Sequence, residues 1–306
     1  MDECVSAPGT LYIVSTPIGN LEDMTERGIR ILKESDLIAA EDTRGSIRLL
    51  NHFDIHTPMT SYHEYNKVSK AHVLVKKLLE GRDVALITDA GTPGISDPGE
   101  EMVRMALENG ITVSPVPGAC ALISALVCSG KPTRRFCFEA FLPAEKKERA
   151  EILEELKTET RTIVLYEAPH RLVRTLRELM DALGDREITL CREITKKHET
   201  FEETTIGKAL SAFGEAAGDE SGGTKELLTA QSQSPRGEYV LVIRGLDRAK
   251  LKAEQQARTA ESMSVQEHMQ IYLDRGMDRK SAMKAVASDR GVSRRDIYQA
   301  LLNSET

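Results

Sequence analysis

Short apolar runs alternate with amphipathic stretches over the first 130 residues of the chain. Four such runs end abruptly in Gly, Pro, Ser or acidic residues, and they cover 11–14, 37–40, 84–87 and 111–116. Between and after them, apolar positions recur at helical spacing over 21–33, 68–80, 99–109 and 119–127. Strands buried on both faces and separated by helices are typical of a parallel sheet. The pattern therefore predicts an α/β domain over residues 9–129.

The segments that follow these predicted strands are rich in Gly, Pro and Thr. Open parallel sheets bind ligands at the carboxyl ends of their strands. Glycines let main-chain groups approach a ligand closely, and prolines restrict the backbone before anything binds. An ordinary strand-to-helix connection is the alternative interpretation, and Asp89 could equally cap the following turn. The predicted ligand-binding residues are Thr16, Pro17, Gly19, Asp89, Ala90, Gly91, Thr92, Pro93, Pro117, Gly118 and Ala119.

None of these segments carries a common phosphate-binding motif. The sequence has no G-x-G-x-x-G after a predicted strand and no G-x-x-x-x-G-K-[ST]. These two patterns mark dinucleotide-binding folds and P-loops. We therefore expect a ligand that is not held by its phosphates.

A second pattern begins near residue 130. Strand-like runs lie at 136–142, 162–166, 187–192, 200–206 and 238–244, with helical stretches at about 145–157 and 169–183. Because long helical crossovers separate only the first three of these runs, we expect a mixed sheet rather than a wholly parallel one. The pattern predicts a second α/β domain over residues 130–247, in which the polar stretch 214–235 forms a mobile loop.

The C-terminal segment 248–306 predicts a linker and a small helical domain. Three short amphipathic stretches lie at 265–273, 281–287 and 294–302. The segment carries eleven Lys or Arg and eight Asp or Glu residues, so it is slightly basic. This balance permits contact with nucleic acid, and a packing or dimer-supporting role is the alternative.

Composition and charge limit the class of protein further. The 306 residues carry a net charge of -7, so only local clusters of basic residues could contact an RNA backbone. No apolar run approaches the length of about 18 residues that a membrane-spanning helix needs, and the N-terminus does not resemble a signal peptide. We therefore expect a cytoplasmic protein without membrane contact. The scattered cysteines and histidines show no metal-ligand spacing, so no metal is predicted.

Seven segments, in their order along the chain, resemble the ribosomal RNA small subunit methyltransferase I family, bacterial enzymes that methylate the ribose 2'-oxygen of a cytidine in 16S ribosomal RNA. The resemblance extends over roughly residues 9–245. The segments are LYIVSTPIGNLEDMTERG (11–28), LIAAEDTR (37–44), ALITDAGTPGISDPG (85–99), PVPGACA (115–121), RFCFEAFLP (135–143), YEAPHRL (166–172) and CREITKKHET (191–200).

The resemblance implies a fold, a cofactor and partners. The wider superfamily is the tetrapyrrole methylases, which implies two α/β domains with a cofactor cleft between them and, here, a small C-terminal helical domain. The implied cofactor is S-adenosyl-L-methionine, which has no phosphate and so agrees with the missing motifs. The implied partners are 16S ribosomal RNA, within the small ribosomal subunit, and a second copy of the chain in a homodimer.

Polar residues inside these segments are the candidates for chemistry. Methyl transfer to a 2'-hydroxyl needs a general base or a cation that stabilises the developing alkoxide. The candidates are Glu41, Asp42, His170, Glu193 and Lys196, with Asp89 and Glu167 also expected to line the cleft. Asp42 could instead pair with Arg44, and His170 could simply begin a helix. Arg135, Arg171 and Lys196 are the candidate RNA contacts.

Two other functions stay open at this point. A methyltransferase acting on a small tetrapyrrole would use the same first domain. A non-catalytic module would bind the cofactor or RNA and transfer nothing. The segments YEAPHRL and CREITKK match the RNA-modifying family better than the tetrapyrrole enzymes.

Overall fold

The computed structural model describes residues 7–214, 235–249, 251 and 263–304. The predicted mobile loop 214–235, apart from its two end residues, lies outside the described residues, as does most of the predicted linker 248–263. The chain forms two compact units, and both sheets belong to the first, which spans residues 1–157 and 161–244. The boundary that we place near residue 130 between two α/β domains therefore stays a prediction.

The first sheet is parallel throughout. Its strands are β1 (Thr10–Val14), β2 (Leu37–Ala40), β3 (Met59–Ser61), β4 (Val84–Ile87) and β5 (Thr112–Val116), in the order β3-β2-β4-β1-β5. The helices are α1 (Glu26–Glu34), α2 (Thr43–His52), α3 (Lys67–Leu79), α4 (Gly99–Glu108) and α5 (Ala121–Cys128), with a 3-10 turn at Leu21–Asp23. Strand β3 and helix α2 were not predicted from the sequence.

Buried side chains cover both faces of this sheet. Leu74 and Leu78 of α3 and Met102 of α4 pack on one face. Leu32 of α1 and Leu50 of α2 pack on the other. Helices on both faces explain why β4, with the sequence VALI, is buried at every position.

The second sheet is mixed. Its strands are β6 (Phe136–Phe138), β7 (Thr162–Glu167), β8 (Glu187–Arg192), β9 (Thr200–Thr205) and β10 (Tyr239–Ile243), in the order β6-β7-β10-β8-β9. Only β6 and β7 pair in parallel, and the other three pairs are antiparallel. The helices are α6 (Lys146–Leu156), α7 (Pro169–Leu183) and α8 (Ile206–Gly214). Strand β6 is shorter than predicted, and α8 was not predicted.

Helix α5 connects the two halves of this unit physically. Its residues Leu122, Ala125 and Leu126 pack against Val164 of β7 and Val242 of β10. Helices α6 to α8 cover the opposite face of the second sheet. The opposite side of α5 stays open, because Ile123 and Val127 are 46% and 63% exposed.

Residues 263–304 of the second unit form three helices, as the sequence predicts. They are α9 (Val265–Asp274), α10 (Arg279–Asp289) and α11 (Arg294–Ser304). Met269, Val286 and Ile297 form their shared core. Ser264 and Glu267 form a reciprocal capping box at the start of α9. Within the described residues, no helix combines the length and the apolar character that a membrane span requires.

Candidate active site

Main-chain hydrogen bonds join the segments that follow β1 and β4. The Thr16 N–H donates to the Gly91 carbonyl at 2.9 Å, and the Gly91 N–H donates to the Thr16 carbonyl at 3.1 Å. Gly91 has φ +86, and a Cβ there would lie 3.2 Å from the Ile18 side chain. Glycine is thus favoured for both conformation and space. The two segments behave as one short ladder at the carboxyl edge of the sheet.

Hydroxyl groups extend this connection to the segment after β5. Thr92 shares a hydrogen bond of 2.9 Å with Ser15 and lies 3.0 Å from the Ala119 carbonyl. A Cβ on Gly118 would stand 2.8 Å from the Ser15 Cβ, so this close approach also requires glycine. Three of the four predicted segments are therefore fixed to one another by uncharged groups.

The fourth segment, after β2, is joined through carboxylates. Asp89 accepts a hydrogen bond from the Asp42 N–H at 3.0 Å, and Glu41 accepts one from the Thr88 hydroxyl at 2.6 Å. Burial raises the pKa of Asp89 above its usual value, although the Asp42 N–H acts in the opposite direction. Asp42 itself caps α2 by accepting from the Arg44 N–H, which lowers its pKa, and it lies 3.6 Å from the Arg44 side chain. These contacts of Asp42 with Arg44 correspond to the structural alternative that the sequence left open for Asp42.

A cavity of about 460 Å³ lies at the edge where these segments meet the second sheet. This volume falls within the range of ligand sites, about 300–1,000 Å³. The predicted site residues Glu41, Asp89, Ala90, Gly91, Thr92 and Lys196 line it, as does Glu167. Thr16 is buried behind this wall. The lining does not include Asp42, Pro17, Gly19, Pro93, Pro117, Gly118, Ala119, His170 or Glu193.

Aromatic rings of the second sheet form part of the opposite wall. Tyr166 stacks edge-on against Phe138 and Phe141, with ring centroids 4.9 and 5.6 Å apart. The Tyr166 hydroxyl oxygen accepts a hydrogen bond from the Leu122 N–H at 3.1 Å, and burial raises the pKa of Tyr166 to about 12. Phe141 is 46% exposed and lines the cavity. A neutral phenol and an accessible ring give this wall an apolar surface suited to a flat ligand.

Lys196 is the principal cation among the residues that line the cavity. Its ammonium lies 2.7 Å from a Glu238 oxygen and 3.1 Å from a Glu193 oxygen. Burial alone would lower the pKa of Lys196, but the hydrogen bonds to Glu238 and Glu193 outweigh it, so the pKa lies above its usual value. The Glu238 N–H lowers the pKa of Glu193, and Lys196 lowers it further. Lysine and glutamate are therefore both charged at neutral pH.

Two glycines make room for this charged group. A Cβ at Gly19 would lie 2.4 Å from the Lys196 Cγ, so the lysine stem passes directly over Gly19. A Cβ at Gly237, which has φ +79, would lie 2.5 Å from the Glu193 Cγ. The predicted ligand residue Gly19 thus acts in the structure by admitting the catalytic candidate Lys196.

Backbone strain is concentrated around the same cavity. Within the described residues, five non-glycine positions have positive φ, and four of them are Ser96, Ala140, Glu193 and Thr195. Ser96 lines the cavity, and the other three adjoin lining residues. Such conformations cost about 1–3 kcal/mol each and persist only where surrounding contacts impose them. Their clustering supports a functional site here.

Buried charges support the wall beneath Glu167. Glu167 accepts hydrogen bonds from Thr175 and from the Ala168 N–H, and it lies 3.4 Å from Arg171. Thr175 in turn receives a hydrogen bond of 2.8 Å from Arg149, which also pairs with Glu178. The Arg149 side chain is only 4% exposed, so this network is largely shielded from water.

The remaining predicted residues lie on the surface or in this network. His170 is exposed in the first turn of α7, which agrees with the alternative that this histidine simply begins a helix. Arg135 is exposed before β6. Arg171 donates to the Leu142 carbonyl at 2.5 Å as well as pairing with Glu167, so its guanidinium is already engaged. Their roles in catalysis or RNA contact stay predictions.

Sequence reasoning did not single out several lining residues. Thr88, Asp97, Tyr166 and Glu238 line the cavity. Asp97 accepts from the N–H groups of Gly94 and Gly99 at 2.8 Å each and so shapes the turn before α4. An Asp two residues before a helical Gly is a signal for such a turn. Glu238 carries no such signal, because its partner Lys196 is distant in sequence.

Comparison with known proteins agrees with this geometry. The sequence profile of the family described as Tetrapyrrole (Corrin/Porphyrin) Methylases matches residues 10–210. The solved structure of a diphthine synthase superposes with a TM-score of 0.56 at 12% identity, covering 77% of this chain and 90% of that one, which supports the fold alone. The chain therefore belongs to the tetrapyrrole methylases and has their fold.

Curated relatives define the subgroup. A ribosomal RNA small subunit methyltransferase I of Halalkalibacterium halodurans is 47% identical over 290 residues, covering 95% of this chain and 93% of that protein. The protein of the same name from Bacillus subtilis is 43% identical over 292 residues, covering 95% and 94%. The chain belongs to the ribosomal RNA small subunit methyltransferase I family.

Proposed function

We propose that the protein transfers a methyl group from S-adenosyl-L-methionine to the ribose 2'-oxygen of a cytidine in 16S ribosomal RNA. The observation that carries this proposal is the Lys196 ammonium, held by Glu193 and Glu238 at the wall of a cavity that lacks any phosphate-binding motif. A cation in that place suits a reaction that generates an alkoxide. The names of the relatives support ribosomal RNA as the substrate.

The lining fits the proposed cofactor. When bound, S-adenosyl-L-methionine supplies a methyl group on a cationic sulfur. The main chain of Ala90 and Gly91 and the side chain of Ile18 would hold its uncharged parts, and the carboxylates of Glu41 and Asp89 favour positive charge. Tyr166 stays neutral because its pKa is raised to about 12, so it adds no competing charge.

Lys196 acts on the attacking oxygen in this proposal. Its raised pKa keeps the ammonium protonated, so it cannot take the hydroxyl proton and instead stabilises the alkoxide as it forms. Glu193, whose pKa is lowered, orients the ammonium. As the O–C bond forms, the C–S bond would break to leave S-adenosylhomocysteine, and the hydroxyl proton would pass through Glu238, whose side chain is 80% exposed, to water. Of the two roles that the sequence left open for Lys196, the contacts support alkoxide stabilisation.

The substrate is presented on a particle in this proposal. A ribose hydroxyl is reached most easily in an unpaired nucleotide or on an assembled small ribosomal subunit. An acidic enzyme with a net charge of -7 is compatible with such a substrate, because shape and a few local contacts replace a broad basic surface. We further propose that the protein acts as a homodimer in the cytoplasm.

Nucleoside analysis tests the proposal directly. Small subunits that lack the modification, naked 16S ribosomal RNA and uroporphyrinogen would each be incubated with purified protein and isotope-labelled cofactor. We expect label in 2'-O-methylcytidine from the subunits and none in the tetrapyrrole. Label on a base or on the tetrapyrrole would overturn the proposal. Cofactor binding without transfer to any of the three would indicate a non-catalytic module.

A further inference from the structure

A second opening adjoins the cavity at Lys196. It is an open groove, and Lys196 lines both it and the cavity. The groove is bounded by the segment after β1, by the end of α2 and by the segment after β8. Its lining residues are Gly19, Asn20, Leu21, Glu22, His52, Thr195, Lys196 and Lys197. Because the Lys196 stem passes over Gly19, the lysine forms the wall between the two spaces.

Helix α2 leads to this groove with a basic, exposed face. Arg44, Arg48 and His52 recur at intervals of four residues, which places them on one side of the helix. All three are exposed, whereas Ser46 and Leu50 are buried on the opposite side. The helix TRGSIRLLNH contains no Asp or Glu.

The cations of this face are available for binding. The Arg44 side chain pairs with Asp42 at 3.6 Å, but it is 92% exposed, so a phosphate can still reach its guanidinium. Within the described part of the chain, Arg48 and Lys197 form neither an ion pair nor a side-chain hydrogen bond, and both are exposed. The predicted RNA contact Arg171 differs, because its side chain is only 28% exposed and pairs with the buried Glu167.

We infer that Arg44, Arg48, His52 and Lys197, here called the α2 track, hold the phosphate backbone of an RNA strand and lead it to Lys196. The inference rests on the proposed function and deepens it. Successive basic residues on α2 are separated by a rise of about 6 Å, which matches the reach between neighbouring phosphates of an extended strand. His52 belongs to both the helix face and the groove, so the track is continuous.

The chemistry of RNA explains why this track ends at Lys196. A ribose 2'-oxygen is attached to the sugar that two phosphates flank, so a backbone held in the groove brings that oxygen to the cavity wall. Such contacts position the strand without reading its bases. An acidic protein could pair with the same basic residues. Nothing in its chemistry, however, requires a contact with Lys196, which also lines the cavity. RNA is therefore the occupant that the geometry favours.

Charge removal tests the track. In the variant Arg48→Gln with Lys197→Gln, the KM for unmodified small subunits should rise about tenfold, with kcat within about twofold of the parent protein. The salt dependence should also weaken, because the slope of log(kcat/KM) against log salt falls by about 0.7 for each lost single-strand phosphate contact. The variant Lys76→Gln with Lys147→Gln removes the same charge from exposed positions on α3 and α6 and should leave both quantities unchanged.

Two further measurements keep the outcome unambiguous. Calorimetric titration with S-adenosylhomocysteine should give the same affinity for all variants, which separates RNA binding from cofactor binding. If the first pair fails to fold, Arg44→Gln with His52→Gln tests the same surface. A KM and a salt slope equal to those of the control pair would overturn the track. Absence of transfer to subunits by the parent protein would instead overturn the proposed function.

Discussion

The two walls of the cavity are held by different kinds of interaction. On the side of the first sheet, the segments around Thr16, Gly91 and Thr92 are joined by main-chain and hydroxyl hydrogen bonds. On the side of the second sheet, Lys196 and Glu167 are each held by charged partners. Four strained non-glycine residues occur around the cavity, and three of them, among them Ala140 and Glu193, lie on the second side.

This difference indicates that one wall binds the cofactor and the other carries the catalytic group. On the first side, uncharged hydrogen bonds make a stiff frame from three segments, and Asp89 and Glu41 join the fourth segment to it, which suits binding of the cofactor. Charged networks and strained backbone hold a reactive cation in one place, which suits catalysis. Substitutions on the first side should therefore change cofactor affinity, and substitutions on the second side should change the rate of transfer.

The largest expected effect is loss of the Lys196 ammonium. Lys196→Met should lower kcat by about 10³-fold, since removal of one group that stabilises a developing oxyanion costs about 10²–10³ in rate. Lys196→Arg keeps the charge and should retain more activity. Single-turnover transfer to unmodified subunits measures the rate, and calorimetry checks that cofactor affinity is unchanged. An unaltered rate in the Met variant would remove the catalytic role of the second wall.

Arg149 should dominate the stability of the wall beneath Glu167. Arg149→Met removes the hydrogen bonds of this buried guanidinium to Glu178, Thr175 and the Leu142 and Pro143 carbonyls, and it should lower the free energy of unfolding by about 3 kcal/mol. Arg174 pairs with the same Glu178 from an exposed position, so Arg174→Met should cost less than about 1 kcal/mol. Urea denaturation measures both. Equal effects would show that burial of the network is unimportant.

Gly237→Ala should separate backbone strain from catalysis. The new Cβ would displace the Glu193 side chain, so Lys196 loses one of its two carboxylate partners and kcat should fall about tenfold, with a cost of about 1–2 kcal/mol in stability. Gly130 also has positive φ, at +71, but its Cβ would meet nothing within 4 Å. Gly130→Ala should lower stability alone. Loss of activity in both variants would indicate a general effect of strain.

A smaller change is expected on the first wall. Thr92→Val removes the hydrogen bonds to Ser15 and the Ala119 carbonyl, which should weaken cofactor binding by about fivefold and stability by about 1 kcal/mol. The transfer rate at saturating cofactor should stay the same. Thr57→Val removes a comparable bond to the Leu32 carbonyl and should leave cofactor affinity unchanged. A lower saturated rate in Thr92→Val would contradict the division between the walls.

The pH dependence should show the smallest change. The charged form of Lys196 contributes fully to the stability of the folded site below its usual pKa of 10.5. This stabilisation is lost only as the pH rises through the higher pKa of the folded protein. The charged form of Glu193 contributes fully to that stability above its usual pKa of 4.5. This stabilisation is lost as the pH falls through the lower pKa of the folded protein. Neither group should therefore produce a step in log kcat between pH 5 and 10. A limb in that window that disappears in Lys196→Arg would show that Lys196 titrates as a base.

The sequence predicted the first wall better than the second. Apolar runs mark β1 and β4, and Gly91 and Thr92 follow one of them directly, so local pattern was sufficient for these two residues, although seven of the eleven predicted ligand residues do not line the cavity. Strand β3 has only three half-buried residues, and the polar sequence of α2 hides its helix, so both escaped prediction. The contact of Lys196 with Glu238 depends on the pairing of β8 with β10, which no local spacing specifies.

Calorimetric titration of S-adenosylhomocysteine into the parent protein and into Lys196→Met tests the central claim most directly. The claim is that one cavity binds the cofactor through its first wall and performs chemistry through its second. We expect both proteins to bind with the same affinity, within about twofold, while only the parent transfers methyl groups. Absence of binding by the well-folded parent protein, or loss of binding together with Lys196, would contradict the account.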